Sequence, residues 1–222
     1  MRAMAPPMVH PIQMKKKITD LKIQKYNKQR VSVFLDGKYA FSLSSSAAMN
    51  LKKGCHLESA RIDQLLRKDE FPRCYNSAVR YLARRPRSIN ETRVFLTGRD
   101  YRPEIVQKTI DRLAEQNYLD DSAYARFWIE NRMHFRPRSA FALRFELRQK
   151  GVADSVIENM LHDFDDDKAA WKALKGRLKR WQNLDRPQFK SKLFSFLKTR
   201  GFCYDTCCNA LERAWLDKDG ND

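Results

Sequence analysis

The sequence lacks the features that mark membrane proteins, secreted proteins and nucleotide-binding enzymes. No apolar run approaches the length of a membrane span or of a signal-peptide core, and no glycine-rich phosphate loop is present. The five cysteines are odd in number and do not have the spacing of a disulfide framework, which favours a reducing cytosol. The sequence therefore predicts a cytoplasmic protein that does not bind membranes.

Catalytic and metal-binding sets are also missing. The cysteines Cys203, Cys207 and Cys208 form C-x-x-x-C-C, which lacks the paired C-x-x-C spacing of a metal site, and Cys207 falls on a predicted core position. Glu91, three positions after Ser88, is predicted to form a capping box rather than to act as an acid or base. No carboxylate pair, Ser-His-Asp set or Cys-His set can be assembled, so we expect no catalytic residues, no metal and no cofactor.

Positive charge is what the sequence has in excess. The 222 residues carry a formal net charge of +17, and the isoelectric point is near 9.8. A hydrophobic fraction of 42% is ordinary for a folded protein with a real core. The charge favours nucleic acid, an acidic protein surface or anionic lipid as a partner, and nothing in the sequence supports the lipid.

The N-terminal part changes pattern at Lys15. Residues 1–14 carry three prolines and no periodicity, so we predict a disordered tail in which Met14 as well as Met1 is a candidate start. From Lys15 the apolar residues alternate with period two, and Asp36-Gly37 is typical of a type I′ hairpin turn. Residues 15–57 are predicted to form an antiparallel β-hairpin or sheet of two or three strands with one short helix.

The rest of the chain is helical by pattern, and it repeats. Pro86, Pro137 and Pro187 are spaced by 51 and 50 residues, and a leucine stands ten positions after each proline. Internal periodicity of this kind indicates one structural unit used several times. We predict three three-helix repeats at residues 58–117, 118–165 and 166–217, followed by a tail at 218–222, and we expect Pro72 to interrupt the first long helix.

The second repeat concentrates the charge. Asp120 or Asp121 is predicted to begin its first helix, Pro137 to break that helix and Gly151 to end the second helix. Arg136 and Arg138 lie at a helix N-terminus, the unfavourable end of the helix dipole for a cation. Any one arginine is as well explained by a solvated surface, but the whole set favours an anionic partner. The candidate binding residues are Arg84, Arg85, Arg87, Arg132, Arg136, Arg138, Arg144, Arg148, Lys150, Arg177, Lys179 and Arg180.

Aromatic residues lie beside these cations. Trp128 falls on the apolar stripe of its helix and is expected to pack in the core, which leaves Phe127 as the better candidate for stacking on bases. Phe135, Phe141 and Phe145 are expected to wedge adjacent helices together. An acidic run at residues 163–167 separates the second and third repeats and is predicted to cap the next helix.

Several short segments together resemble the RecX family, cytosolic regulators of the RecA recombinase. The resemblance covers roughly residues 15–215, and it departs from the family at Arg102, Ala153 and Cys203, where a capping Ser or Pro is usual. The segments that carry it are Tyr81-Leu82, Arg85–Ser88, Asn117–Asp121, Ala125-Arg126, Trp128–Arg132, Arg136–Arg138, Leu143-Arg144 and Glu146–Gly151.

The resemblance implies an elongated, curved tandem array of three three-helix repeats, mainly α, behind a small antiparallel sheet. It also implies a non-catalytic protein that binds in the groove of the RecA–single-stranded-DNA filament; we further expect a monomer. There it would inhibit ATP hydrolysis, strand exchange and co-protease activity, and so regulate DNA repair, recombination and the SOS response. The charge by itself is equally compatible with a general nucleic-acid-binding protein that has no recombinase partner.

Overall fold

The structure is a computed structural model that describes residues 15–219, without the side chains of residues 218 and 219. The predicted tail at residues 1–14 and the last three residues of the predicted C-terminal tail lie outside the described residues. The described chain divides into two compact units. One contains the sheet, most of the first long helix and residues 99–109; the other contains residues 80–98 and the chain from residue 110 onward.

The N-terminal sheet has four antiparallel strands in the order β3-β2-β1-β4, with a short helix before the last strand. Asp36 and Gly37 both have positive φ, as a type I′ turn requires, so the predicted hairpin is confirmed. The expected two or three strands were too few. The fourth strand has only three residues, which is too short to show an alternating pattern. The elements are β1 Lys15–Gln24, β2 Asn27–Leu35, β3 Lys38–Ser44, α1 Ser45–Ala48 and β4 His56–Glu58.

The sheet docks on the first long helix, α2 (Ser59–Leu82), which supplies the apolar cover that an isolated small sheet needs. Ile18, Val33 and Leu43 are fully buried in one cluster with Leu65 of α2. Polar contacts reinforce the docking. Asp69 of α2 is 1% exposed, and it accepts hydrogen bonds from the Arg30 guanidinium and the Ser44 amide, each at 2.8 Å.

The expected break at Pro72 is wrong, because α2 runs through it. A proline in a helix interior removes one backbone hydrogen bond and costs about 3 kcal/mol. Leu65 and Cys74 are buried on either side of Pro72, so packing on both sides holds the helix together.

Within residues 59–219, which the structure describes, nine helices follow the sheet, and this part of the chain is mainly α as predicted. The predicted caps are present: Ser88 and Glu91 form a complete capping box, Asp120 caps α5, and Asp165 caps α8. The repeat boundaries at residues 58–117, 118–165 and 166–217 remain predictions. After α2 come α3 Ile89–Thr97, α4 Pro103–Glu115, α5 Asp121–Phe135, α6 Ala140–Gln149, α7 Asp154–Leu161, α8 Asp166–Trp181, α9 Arg186–Lys198 and α10 Tyr204–Asp219.

The second group of helices (α5–α7) and the third group (α8–α10) each enclose a core. Leu143, Leu147 and Ile157 are fully buried in the second group, and Leu193 and Leu197 in the third. Cys207 also lies in the third core, 1% exposed, where burial and the neighbouring thiols raise its pKa to about 11. It is therefore a core residue, as its repeat position predicted.

The first of two junctions joins α3 to the end of α6. Ser88 is fully buried; its hydroxyl donates to the Lys150 carbonyl at 2.6 Å and accepts from the Glu91 amide at 3.0 Å. The Ile89 amide donates to the Asp121 carboxylate at 2.9 Å, so a side chain of α5 satisfies the N-terminus of α3. Burial raises the pKa of Asp121.

The second junction joins α6 to the end of α9 in the same way. Ser139 is fully buried, and its hydroxyl donates to the Gly201 carbonyl at 2.7 Å and accepts from the Ala142 amide at 3.1 Å. The Ala140 amide donates to the Asp166 carboxylate at 2.7 Å, and burial again raises the pKa of that carboxyl group.

A glycine is required at this second junction for two reasons. Gly201 has a φ of +86°, a region that side chains other than glycine seldom adopt. A Cβ atom at this position would also lie 2.7 Å from the Ser139 hydroxyl and 2.8 Å from the Ala142 Cβ. Both separations are shorter than van der Waals contact.

We predict that Gly201→Ala lowers the free energy of unfolding by about 2–4 kcal/mol, because it adds overlap with Ser139 and Ala142 to the backbone strain. Gly54→Ala is the matched control, since Gly54 also has positive φ but no atom within 4 Å of the added Cβ. The control should lose only roughly 1–2 kcal/mol. Urea unfolding followed by circular dichroism measures both losses, and equal losses would contradict a contribution from the close approach.

Candidate anion-binding surface

The predicted cations of the second compact unit divide into ion-paired and unpaired groups. The first paired group surrounds Glu91, which the capping box holds at the start of α3. Its carboxylate lies 3.0 Å from Arg85, 3.9 Å from Arg87 and 3.3 Å from the Lys150 ammonium group. One carboxylate with a 15% exposed side chain thus serves three cations.

These contacts determine the ionisation of Glu91. Burial by itself would raise its pKa, but hydrogen bonds from Arg85 and the Ser88 amide, with the charge of Lys150, lower the pKa below the ordinary value of 4.5. Glu91 is therefore a carboxylate at neutral pH, and the three surrounding cations share an ion-pair partner that belongs to the protein itself.

The second paired group surrounds Glu146 of α6. Its carboxylate accepts hydrogen bonds from Arg132 and the Trp128 indole, both at 2.7 Å, and lies 3.1 Å from Arg138. Arg132 and Lys150 also lie over the Trp128 ring, at 4.7 and 5.4 Å from its centre. Trp128 packs against the core of the second group, as expected, and also supports the charged network.

Arg144 and Arg148 are paired with the next helix. Arg144 makes two hydrogen bonds to Glu158, at 2.7 and 2.9 Å, and Arg148 makes one to Asp154 at 2.6 Å. The like-charge spacing of the two arginines along α6 is therefore compensated by α7. Arg84 and Lys179 are exposed, and neither belongs to these groups.

The unpaired group lines a cleft between α5, α8 and α9. The cleft has a volume of about 310 Å³, and no carboxylate among residues 15–217 lies within ion-pair distance of its four guanidinium groups. It brings together three of the predicted binding residues and one that sequence reasoning missed. We call this group the arginine cleft; its cations are Arg136, Arg177, Arg180 and Arg200.

Arg200 is the missed residue. Its guanidinium group lies 3.6 Å from the centre of the Phe196 ring and donates a hydrogen bond to the Phe196 carbonyl at 3.0 Å. Burial, followed by the charges of Arg177, Arg138 and Arg136, lowers its pKa. The repeat could have identified it, because Arg200 stands 50 positions after Lys150.

The aromatic side chains differ from expectation. Phe135, Phe141 and Phe145 do not wedge helices together, because they are 71%, 70% and 57% exposed. We expected these side chains to be buried because they are apolar. In α6, however, Leu143 and Leu147 fill the positions that face the core. Phe135 lies at the edge of the arginine cleft, which makes it a better stacking candidate than Phe127.

The described part of the chain has neither a metal-binding cluster nor a membrane-spanning helix. Across residues 15–217, no cluster of three or more His, Cys, Asp or Glu side chains could hold a metal ion. None of the described helices is both long and apolar enough to cross a bilayer.

Comparisons with known proteins agree with the resemblance seen in the sequence. Three family models match: the regulatory protein RecX N-terminal domain at residues 16–58, and the first and second RecX three-helix domains at residues 74–113 and 120–161. The regulatory protein RecX of Clostridium botulinum (strain Alaska E43 / Type E3) is 33% identical over 89% of this chain and 96% of its own length. That of Bacillus subtilis (strain 168) is 30% identical over 91% and 78%.

Solved structures give the same result for the fold. A crystal structure of regulatory protein RecX covers 89% of this chain and 99% of its own, with a TM-score of 0.61 and 27% identity. The structure of RecX from Lactobacillus salivarius, at 20% identity and a TM-score of 0.60, is similar in fold.

We predict that Glu91→Gln destabilises the protein at neutral pH by about 1–3 kcal/mol, because Gln retains the cap but removes the charge. The pKa of Glu91 is lowered on folding, so its stabilising effect is present above about pH 4.5 and is lost as the pH falls through the folded value. Urea unfolding between about pH 7 and about pH 3 should therefore show the variant and the wild type converging in acid.

The matched control is Glu130→Gln, because Glu130 is exposed and has no cation within ion-pair distance in the described part of the chain. It should change stability by less than about 0.5 kcal/mol at any pH. A constant difference between Glu91→Gln and the wild type across the pH range would contradict the proposed ionic role.

Proposed function

The chain belongs to the RecX family of regulatory proteins, and from this we propose that it is a non-catalytic, cytoplasmic regulator of the RecA recombinase. It binds in the groove of the filament that RecA forms on single-stranded DNA. Bound there, it inhibits ATP hydrolysis, strand exchange and co-protease activity.

The arginine cleft is the observation that supports this proposal most directly. Four guanidinium groups meet in one cleft without a carboxylate partner, although the same compact unit pairs most of its other predicted cations. Like charges held together repel one another, so an external anion that enters the cleft gains favourable interactions. A nucleoprotein filament offers such anions as phosphates and acidic side chains.

Inhibition follows if binding favours one state of the filament. A ligand shifts an equilibrium only by its differential affinity for two states, so the protein must prefer the assembled filament over free recombinase. A filament held in one state cannot make the movements that ATP turnover and strand exchange need. Inhibition then requires no catalytic residue in the regulator.

A second candidate function is general binding of nucleic acid without a recombinase partner. The cleft and the net charge of +17 support it equally well, because arginines bind the phosphates of a nucleic acid whatever its base sequence. The two functions differ in the amount of protein needed for inhibition. A protein that only competes with the recombinase for DNA must coat the DNA before it inhibits, whereas a filament regulator acts at lower amounts.

We predict that the purified chain inhibits single-stranded-DNA-dependent ATP hydrolysis by the cognate recombinase at amounts well below those that coat the DNA. A steady-state ATPase titration at fixed recombinase and DNA measures this. Inhibition that begins only when DNA is saturated would instead favour simple competition.

The same titration tests the arginine cleft. Arg136→Gln with Arg177→Gln should raise the concentration for half-inhibition by about tenfold or more, since two unpaired cations are removed. Arg138 is left unchanged because it pairs with Glu146. The control, Lys172→Gln with Lys175→Gln, removes the same charge from α8 on a face about 120° from the cleft. Equal behaviour of the two double variants would exclude the cleft from the filament contact.

A further inference from the structure

The two junctions of the second compact unit are built alike but differ at the position of Glu91. Each cation around Glu91 has a counterpart one repeat later: Arg136 follows Arg85 by 51 positions, Arg138 follows Arg87 by 51, and Arg200 follows Lys150 by 50. Glu91 itself is followed at 51 positions by Ala142. The second junction thus keeps the cations but has no carboxylate at the position of Glu91. Arg138 pairs instead with Glu146 of α6, whereas Arg136 and Arg200 have no carboxylate within ion-pair distance among the described residues.

The backbone around the two positions is the same. Ser88 caps α3 and receives the Glu91 amide, and Ser139 caps α6 and receives the Ala142 amide. Glu91 and Ala142 are therefore both the third residue of a helix that begins at a buried serine. At this position the first junction has the carboxylate of Glu91, whereas the second junction has Ala142, whose side chain is short and uncharged.

From this difference we propose that the second junction binds the phosphodiester backbone of single-stranded nucleic acid, with a phosphate taking the place that the Glu91 carboxylate fills at the first junction. The proposal deepens the proposed function, on which it rests for its biological setting, by assigning the arginine cleft to DNA rather than to acidic protein side chains.

The size and chemistry of the cleft favour phosphates over a protein carboxylate. Four unpaired guanidinium groups exceed what one carboxylate can neutralise, whereas a nucleic acid backbone presents a charge at every nucleotide. Guanidinium groups also match phosphate oxygens in two-point hydrogen bonds.

Aromatic rings at the cleft favour a single strand. Phe135 is 71% exposed at its edge, and Phe196 lies under the Arg200 guanidinium group. An exposed ring next to a cationic groove can stack on an unpaired base, which a duplex does not offer.

Ala142→Glu tests this proposal, because it gives the second junction the carboxylate of the first. The new Glu completes a capping box with Ser139, so the variant should be at least as stable as the wild type. Its carboxylate should occupy the cleft and weaken binding of a fluorescent oligothymidylate by about tenfold at low salt. The slope of log affinity against log salt should fall by about 0.7 for each phosphate that the cleft no longer neutralises.

Ala123→Glu is the matched control. Ala123 is exposed and is also the third residue of a helix, α5, where its amide donates to the capping Asp120. The control adds the same charge about 18 Å along α5 from Phe135. It should change affinity less than twofold.

The converse variant is Glu91→Gln, which removes the internal anion from the first junction. It should make Arg85, Arg87 and Lys150 available to phosphate, so the salt slope should rise by about 0.7. A rise supports the proposal, and an unchanged slope shows that Glu91 does not stand in for a phosphate.

Fluorescence anisotropy without recombinase measures all these affinities, so a failure here is distinguishable from a failure of filament regulation in the ATPase titration. Equal binding by Ala142→Glu and Ala123→Glu would overturn the proposal. Stronger competition from a poly-glutamate peptide than from unlabelled oligothymidylate would also overturn it. So would competition by pyrophosphate that is as strong as competition by oligothymidylate at the same phosphate concentration. If Ala142→Glu does not fold, Arg136→Gln with Arg200→Gln takes its place, and undiminished oligonucleotide binding by that variant overturns the proposal.

Discussion

The buried hydrogen bond from a serine hydroxyl to a distant carbonyl is the contact on which the candidate site depends. Ser139 joins the start of α6 to the Gly201 carbonyl, and its amide also donates to the Arg200 carbonyl at 3.2 Å. Arg200 is thereby held beside the segment that contains Arg136 and Arg138. A buried serine that loses such a partner is costly, so this arrangement resists change. The arginine cleft therefore depends on the hydrogen bonds of Ser139 to the Arg200 and Gly201 carbonyls.

The two junctions use one backbone design with different side chains at the position of Glu91. At the first junction Glu91 pairs with Arg85, Arg87 and Lys150 from within the protein. At the second, Ala142 supplies no carboxylate, and among the described residues Arg136 and Arg200 have no ion-pair partner, while Arg138 pairs with Glu146. Repeat proteins can vary single positions in this way because each unit keeps its own core. A residue that pairs with cations in one unit can therefore be absent from the next while both units keep their fold.

Much of the fold was predictable because local physical rules determine it. The turn at Asp36-Gly37, the helix caps at Ser88 and Asp120 and the repeat period all follow from residues close in sequence. The leucines in matching register, Leu147 and Leu197, are fully buried as the repeat requires. The fourth strand was not predictable, since three residues pair only because the chain returns to Lys15–Lys17. The helix through Pro72 likewise depends on the burial of Leu65 and Cys74 on either side of the proline.

The sequence by itself determined the positive charge, the three-helix period and the resemblance to the RecX family. It could not separate the twelve candidate cations, because the state of each depends on partners far along the chain: Lys150 meets Glu91 across 59 residues, and Arg132 meets Glu146 across 14. Only the tertiary structure decided which arginines are neutralised and which line a cleft. The physical reason is that electrostatic interactions depend on distance and burial in three dimensions, whereas the sequence records only which charges exist.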